Sequence, residues 1–238
     1  MLDARDIVRL HLGHFTAPPS HHLAGSPIVV TAFLIRHPRG LFLFDTGIGT
    51  GNEEAEQHYR PVRRPLREAI AGAGAELEDI RLLANCHLHF DHAGWNRLFP
   101  EVPIFAQRTE HEAAFRPDYT MTEAVVGFPG ARFELIDGDA EVLPGLRLVR
   151  TPGHTDGHQS LIVETRQGRV ILAGQAFNAA SDYAVAAYQS RLEGAEVPEW
   201  VRRFESLDPW RILFAHDLAV WAREGSAARP GSVERRDP

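Results

Sequence analysis

Along the first third of the chain, apolar positions gather into short runs separated by turn formers. Ile28 to Ile35 is β-branched and apolar, His37-Pro38-Arg39-Gly40 supplies turn residues, and Leu41 to Phe44 is a second run. That pattern predicts a β-hairpin ending in the polar stop Asp45-Thr46-Gly47. Residues 48–60 are polar and read as a loop. From Pro65 to Ala73 the spacing turns helical, with Leu66 and Ile70 on one face and Gly72 and Gly74 at the exit. Ile80 to Cys86 is a short apolar run, a buried strand by its pattern, and it leads straight into histidines. Further on, Val102 to Ala106 predicts a strand and Thr109 to Phe115 a short helix, while residues 116–130 show no period. Strand-like runs follow at Phe133 to Ile136, Leu146 to Arg150, Ser160 to Glu164 and Val170 to Ala173. Val197 to Phe204 predicts a helix, and Arg211 to Phe214 a last short strand before His216. Strands and helices in this alternation predict a layered α/β fold. We expect one domain over residues 1–223 and a disordered tail over 224–238, where Gly, Ser, Pro and charge dominate.

Composition narrows the chemistry. All 25 basic residues are arginine, there is one cysteine (Cys86), and there are 13 histidines. Without lysine there is no Schiff base and no P-loop lysine. One cysteine excludes an internal disulfide, a Cys-x-x-Cys pair and a thiolate zinc cluster. The net charge of -7 argues against nucleic acid as a partner. No run approaches the roughly 18–20 apolar residues of a membrane span, so no membrane is expected. The N-terminal segment lacks a signal peptide's pattern, and with the single free thiol this predicts a cytoplasmic protein. What remains enriched is imidazole, a metal ligand and general base.

The densest segment is Asn85-Cys86-His87-Leu88-His89-Phe90-Asp91-His92-Ala93-Gly94. His87 and His89 are two apart, so an extended backbone projects both to one side. Asp91 and His92 follow at once, and the four side chains suit one or two metal ions. A second segment, Thr151-Pro152-Gly153-His154-Thr155-Asp156-Gly157-His158, sets His154 on a Pro-Gly bend. His158 reads as a structural hydrogen-bonding residue rather than a ligand. The third segment, Phe214-Ala215-His216-Asp217, again sets a histidine at the end of a short apolar strand.

Taken together, His87-x-His89-x-Asp91-His92, Pro152-Gly153-His154-Thr155, His216 and the upstream Phe44-Asp45-Thr46-Gly47 resemble the metallo-β-lactamase superfamily of metal-dependent hydrolases. The fuller segments around His87 and His154 are most similar to its N-acyl-homoserine lactonase group. The resemblance implies a four-layer αββα sandwich with metals at one edge of two sheets. His87, His89 and His154 would hold a first ion, and Asp91, His92 and His216 a second. Asp45 would orient a metal-bound imidazole. A hydroxide on the metals would attack the carbonyl of a small lactone or ester, the small-molecule substrate. Zinc suits the histidine-rich set, with manganese, cobalt or iron as alternatives.

Two positions depart from the family pattern. Gln175 stands where the family places an aspartate bridging both ions, so its amide replaces a carboxylate and the second ion should bind more weakly. Asp182 and Asp156 are candidate replacements. Asn178 stands where lactonases often carry a carbonyl-holding tyrosine, and it joins Asp91 as an expected catalytic residue; Tyr183 and Tyr188 are candidate substitutes. A phosphoesterase of the same fold, and a degenerate metal-binding member with little turnover, stay open beside the lactonase reading. The stretch from His14 to Pro27 is a candidate pocket rim or homodimer contact, with His21 and His22 facing solvent. Trp95 is a candidate for pocket or core. The arginines at 60, 63, 64 and 67 read as a solvated basic run.

Overall fold

Strand β1 (Ile7–Thr16) precedes the predicted hairpin, which forms as β2 (Pro27–His37) and β3 (Gly40–Phe44) in antiparallel register, from Phe33 opposite Phe44 to His37 opposite Gly40. Helix α1 (Glu53–Tyr59), strand β4 (Val62–Arg63), helix α2 (Leu66–Gly72) and strand β5 (Ile80–Ala84) follow. Next come α3 (Phe90–Ala93), β6 (Pro103–Gln107), α4 (Arg108–Ala113), α5 (Thr122–Val125) and β7 (Arg132–Ile136). The second half holds β8 (Ala140–Leu143), β9 (Leu146–Arg150), β10 (Gln159–Thr165), β11 (Gly168–Leu172), α6 (Ala180–Gln189), α7 (Glu199–Ser206), β12 (Arg211–Leu213) and β13 (Val220–Ala222). This computed structural model describes all residues except 20, 22, 52, 117, 118, 120, 121 and 224–238. The expected tail and His22 therefore lie outside the described residues.

The strands form a seven-stranded sheet, ordered β4-β1-β2-β3-β5-β6-β7, and a six-stranded sheet, ordered β13-β12-β11-β10-β9-β8. Both are mixed: β3, β5, β6 and β7 run parallel in the first, as do β11 and β12 in the second. Alternation along the strands decides the layering, because successive side chains point to opposite faces. Val30, Ala32 and Leu34 of β2 pack with Leu66 and Ile70 of α2. Their neighbours Phe33 and Ile35 pack instead with Leu161, Val163 and Leu172 of the other sheet. On that sheet's far face, Ile162 and Ile171 meet Tyr183 of α6 and Val201 and Phe204 of α7. Helix, sheet, sheet, helix is the order that these three apolar clusters impose. Among the described residues, no helix is long and apolar enough to cross a membrane.

Eight elements lie outside the sequence expectation, namely β1, α1, β4, α3, α5, β8, α6 and β13, and the three longest each have a physical reason. Residues 48–60 include helix α1, in which Tyr59 is the apolar anchor packed on the core among the described side chains, so no apolar period announces it. Strand β1 was not predicted because its alternation breaks at a bulge between His11 and Gly13. Helix α6 buries only Tyr183 and Ala187 and leaves Val185 and Tyr188 exposed, a weak helical signal.

Candidate metal centre

Most candidate residues lie in the segments that leave the ends of strands, and Asp91 and His92 lie on α3. Asp45 follows β3, His87 and His89 follow β5, His154 lies in the β9–β10 connection, Gln175 follows β11 and His216 follows β12. Parallel pairing of β3 with β5, and of β11 with β12, brings these C-terminal ends to shared edges. Two links align the edges of the two sheets. Thr31 of β2 donates its backbone N–H to Ala215 O at 3.0 Å, and Gln159 donates its own to Cys86 O at 2.8 Å. Gly174 (φ 58°) permits a close approach, since a Cβ there would collide with Cys86.

In the first cluster, His87 Nε2 lies 3.0 Å from His89 Nδ1, which lies 3.1 Å from His154 Nε2. Three ring nitrogens converging on one point cannot all satisfy one another, because each imidazole has one lone pair and one N–H. A cation at the point of convergence would satisfy all three. In the second cluster, His92 Nε2 lies 3.1 Å from His216 Nε2 and 3.2 Å from Gln175 Oε1. Asp91 Oδ2 is 3.4 Å from each of those nitrogens. Within each trio the ligand atoms all lie within 4.8 Å of one another.

The outer nitrogens show why the rings point inward. His92 Nδ1 faces Asp45 Oδ2 at 3.1 Å, and His216 Nδ1 donates to Val29 O at 2.8 Å. Each partner fixes the proton on Nδ1 and leaves Nε2 with a lone pair. Asp45 also accepts the Cys86 N–H at 2.8 Å and sits at φ 67°, a left-handed conformation that Asp tolerates better than most residues. Cys86 Sγ is 3.2 Å from both His87 Nδ1 and His92 Nδ1. Burial, reinforced by the Asp45 charge, pushes the Cys86 thiol up to about 12. His158 has both ring nitrogens engaged: Nδ1 with Thr151 O at 3.0 Å, and Nε2 accepting the Gln175 N–H at 3.0 Å. It thus braces the backbone of Gln175 rather than joining either cluster.

Electrostatics separate the two clusters. Burial, then the neighbouring imidazoles, hold His87 well below the usual histidine range and lower His154 to about 3. His216 is likewise lowered by burial, to about 4. Burial also disfavours a charge on His92, but the Asp91 and Asp45 carboxylates around it hold its pKa well above normal. Asp91 stays well below the usual carboxylate range, because His92 and His216 outweigh the effect of its burial. Imidazoles beside one ionised carboxylate form a donor set that fits divalent cations, with the second proton of His92 given up when an ion binds.

The clusters floor a cleft of about 590 Å³. One wall is apolar, built from Phe15, Leu23, Ile28, Tyr59 and Phe90, and the other carries Asn178, Ser181, Asp182 and Asp217. Pro18 and His21 also line it, so the stretch from His14 to Pro27 supplies part of the rim. Gln175 turns its Nε2 to Asn178 Oδ1 at 3.3 Å, leaving its carbonyl oxygen toward His92. Neither replacement carboxylate is in a cluster: Asp182 Oδ2 accepts the Ala179 N–H at 3.2 Å, and Asp156 is exposed. The substitute tyrosines are also elsewhere, since Tyr183 is buried against Phe177 and Trp221, and Tyr188 is exposed. Trp95 packs on the core beneath the first sheet instead of lining the cleft. Part of the basic run is paired, Arg63 with Glu56 and Arg67 with Glu78.

Sequence reasoning missed three side chains at the site. Tyr59 lies 4.7 Å from Phe90 between ring centroids, and Tyr119 lies 4.9 Å from His89. Glu110, on α4, is buried and accepts hydrogen bonds from the Leu88 N–H, the Thr155 hydroxyl and the Tyr119 hydroxyl. An acid on a short polar helix carries no sequence mark of burial. Gly157 lets the His154 loop approach it closely, since a Cβ there would strike the backbone of Glu110.

Comparisons with known proteins agree with this geometry. The N-acyl homoserine lactonase of Bacillus cereus is 45% identical over 156 residues, covering 60% of this chain and 61% of that protein. The enzyme of the same name from Bacillus thuringiensis is 46% identical over 99 residues, 42% of this chain; the match spans about two fifths of that relative's length, 39%. A solved N-acyl homoserine lactone hydrolase, with N-hexanoyl-L-homoserine at its catalytic metal centre, superposes with a TM-score of 0.72 at 29% identity, covering 89% of this chain and 93% of its own. The family model for the metallo-beta-lactamase superfamily matches residues 25–216, so the chain belongs to that superfamily.

Proposed function

We propose that this chain is a metal-dependent hydrolase that opens a small neutral lactone or ester, of the N-acyl homoserine lactone kind. The observation that carries the proposal is the pair of clusters, His87/His89/His154 and Asp91/His92/His216, side by side on the floor of one cleft. His87, His89 and His154 would hold one divalent ion, and Asp91, His92 and His216, with the Gln175 amide oxygen, a second. Zinc suits five imidazoles, and manganese, cobalt or iron are the alternatives. When bound, such ions supply an activated water and polarise a carbonyl oxygen. Gln175 brings no charge, so we propose that the second ion binds more weakly than the first.

The chain's own residues do the rest. The apolar wall of Phe15, Leu23, Tyr59 and Phe90 suits an acyl chain and keeps water from it. Asn178, with its carbonyl oxygen engaged by Gln175, keeps its amide N–H groups to donate to a substrate carbonyl. Asp91 stays ionised throughout the neutral range and holds His92 and His216 in place. A solved relative binds the product N-hexanoyl-L-homoserine at its catalytic metal centre, which supports the same substrate class here. A free buried thiol suits a cytoplasmic setting. We treat residues 1–223 as one hydrolase domain, with a homodimer as its proposed assembly.

The cleft also separates this reading from a phosphoesterase. Asp182 and Asp217 lie along it, and among the described residues no arginine lines it. An anionic phosphoester would meet carboxylates there. The test is turnover of a panel of acyl homoserine lactones, simple lactones and aryl esters, with and without chelator, beside bis-p-nitrophenyl phosphate. We expect chelator-sensitive lactone opening, restored by zinc or manganese. Turnover confined to the phosphodiester would overturn the substrate class, and no chelator-sensitive turnover at all would favour a degenerate member.

A further inference from the structure

The two clusters orient their histidines by different means. In the second, oxygen acceptors hold the rings themselves, through Asp45 on His92 and Val29 O on His216. In the first, no described residue offers an acceptor to the outer nitrogen of His89 or His154, and His154 is exposed. Something other than an oxygen behind each ring must set those two imidazoles together, because they sit 65 residues apart on separate loops.

Glu110 is hydrogen-bonded to both loops. One carboxylate oxygen accepts the N–H of Leu88, the residue between His87 and His89, at 2.9 Å. The other accepts the hydroxyl of Thr155, the residue after His154, at 2.7 Å. The first oxygen also takes the hydroxyl of Tyr119, whose ring lies against His89 and lines the cleft. Glu110 is 1% exposed, so these bonds form out of water, where bonds to a charged acceptor are strongest. Gly157 completes the arrangement by letting the second loop pass against the α4 backbone.

We propose that Glu110 is a positioning residue that sets His89 and His154 at ligand separation, and so governs affinity for the first ion alone. The proposal rests on the ligand assignment given above. The test is zinc affinity by competition with a chromophoric chelator, on metal-depleted full-length chain. Each cluster is read separately, the first in a His216→Ala background and the second in a His154→Ala background. Glu110→Gln keeps the shape but halves the acceptors, and first-ion affinity should fall by roughly 10- to 100-fold, as for other partners of metal ligands. Second-ion affinity should stay within about twofold. Thr155→Val, which removes one donor and leaves the carboxylate intact, should weaken the first ion by less, and the double variant should be no worse than Glu110→Gln alone. Should Glu110→Gln fail to fold, Thr155→Val carries the test. Unchanged first-ion affinity in the folded variants, or an equal loss at both clusters, would overturn the role of Glu110 while leaving the metal centre standing. A chain that binds no divalent ion before any substitution would overturn both.

Discussion

The two halves of the candidate centre are built on opposite plans. The Asp91/His92/His216 cluster is buried, and each of its rings is held from behind by an oxygen. The His87/His89/His154 cluster opens to the cleft, and a sulfur stands behind His87. One cluster is therefore rigid in its side chains, and the other is rigid in its loops. Charge follows a third line, since Asp91 is the one carboxylate among the ligand atoms and Gln175 adds an amide where the family pattern has an aspartate. A well-oriented pocket short of negative charge should bind its ion specifically but weakly.

The largest expected effect comes from taking away the oxygen behind the second cluster. Asp45 holds both His92 Nδ1 and the Cys86 N–H. Asp45→Asn keeps the size but removes the charge and one acceptor. Second-ion affinity should fall by roughly 10- to 100-fold, with the first ion held as before. Equal weakening at both clusters, read by metal titration, would break the idea that each is oriented independently.

Next in size is the charge itself. Gln175→Asp adds a carboxylate beside His92 Nε2, at the place where the amide oxygen now lies 3.2 Å away. The second ion should bind at least about tenfold tighter, or ~1.4 kcal/mol. Metal content after dialysis should rise toward two equivalents. Identical affinity and stoichiometry in the two proteins would show that the missing charge is compensated elsewhere.

How much of this was readable beforehand depends on what each residue type can announce. The hairpin around Gly40, the strands before His87 and before His216, and the layered class follow from runs and turn formers. The histidines and Asp91 stand out because ligand types at that density after an apolar strand have few other uses. Gln175 and Asn178 were legible only as departures from a family pattern. Glu110 and Tyr119 were not legible at all, because their importance comes from tertiary neighbours far along the chain, as with Glu110 and Thr155. The apolar wall was hidden for the same reason: Phe15, Tyr59 and Phe90 come from β1, α1 and α3, and meet only once the first sheet is folded.

A smaller effect should appear in the pH dependence of the metal-free protein. Unfolded imidazoles titrate near 6.5. Burial lowers His87 well below that, His216 to about 4 and His154 to about 3. Below pH 6.5 the unfolded chain then binds protons that the native chain refuses, so stability falls as pH drops toward 4 and below. His92 works in the other direction: its pKa is raised, so its contribution is complete below 6.5 and is lost as pH rises. Melting temperatures from pH 7.5 to 5 should decline, and His154→Gln should flatten that decline while His92→Gln steepens it. A decline unaltered by either substitution would show that the clusters do not dominate acid sensitivity.

The finest distinction concerns the sulfur that touches both halves. Cys86 Sγ lies at 3.2 Å from one imidazole of each cluster. His92 Nδ1 has Asp45 as a second partner, whereas His87 Nδ1 has the sulfur as its sole described acceptor. Sulfur is a weak acceptor, so its loss should matter little where a carboxylate already holds the ring. Cys86→Ala should therefore lower first-ion affinity by about two- to fivefold, within the ~0.5–1 kcal/mol of a weak hydrogen bond, and leave the second ion unmoved. Cys86→Ser restores an acceptor at nearly the same place and should recover most of that loss. The Nδ1–H resonance of His87 should shift in both variants, and that of His92 should hold still. If both resonances moved alike, the sulfur would be coupling the two clusters, and the separation between ring-held and loop-held ligands would have to be redrawn around Cys86.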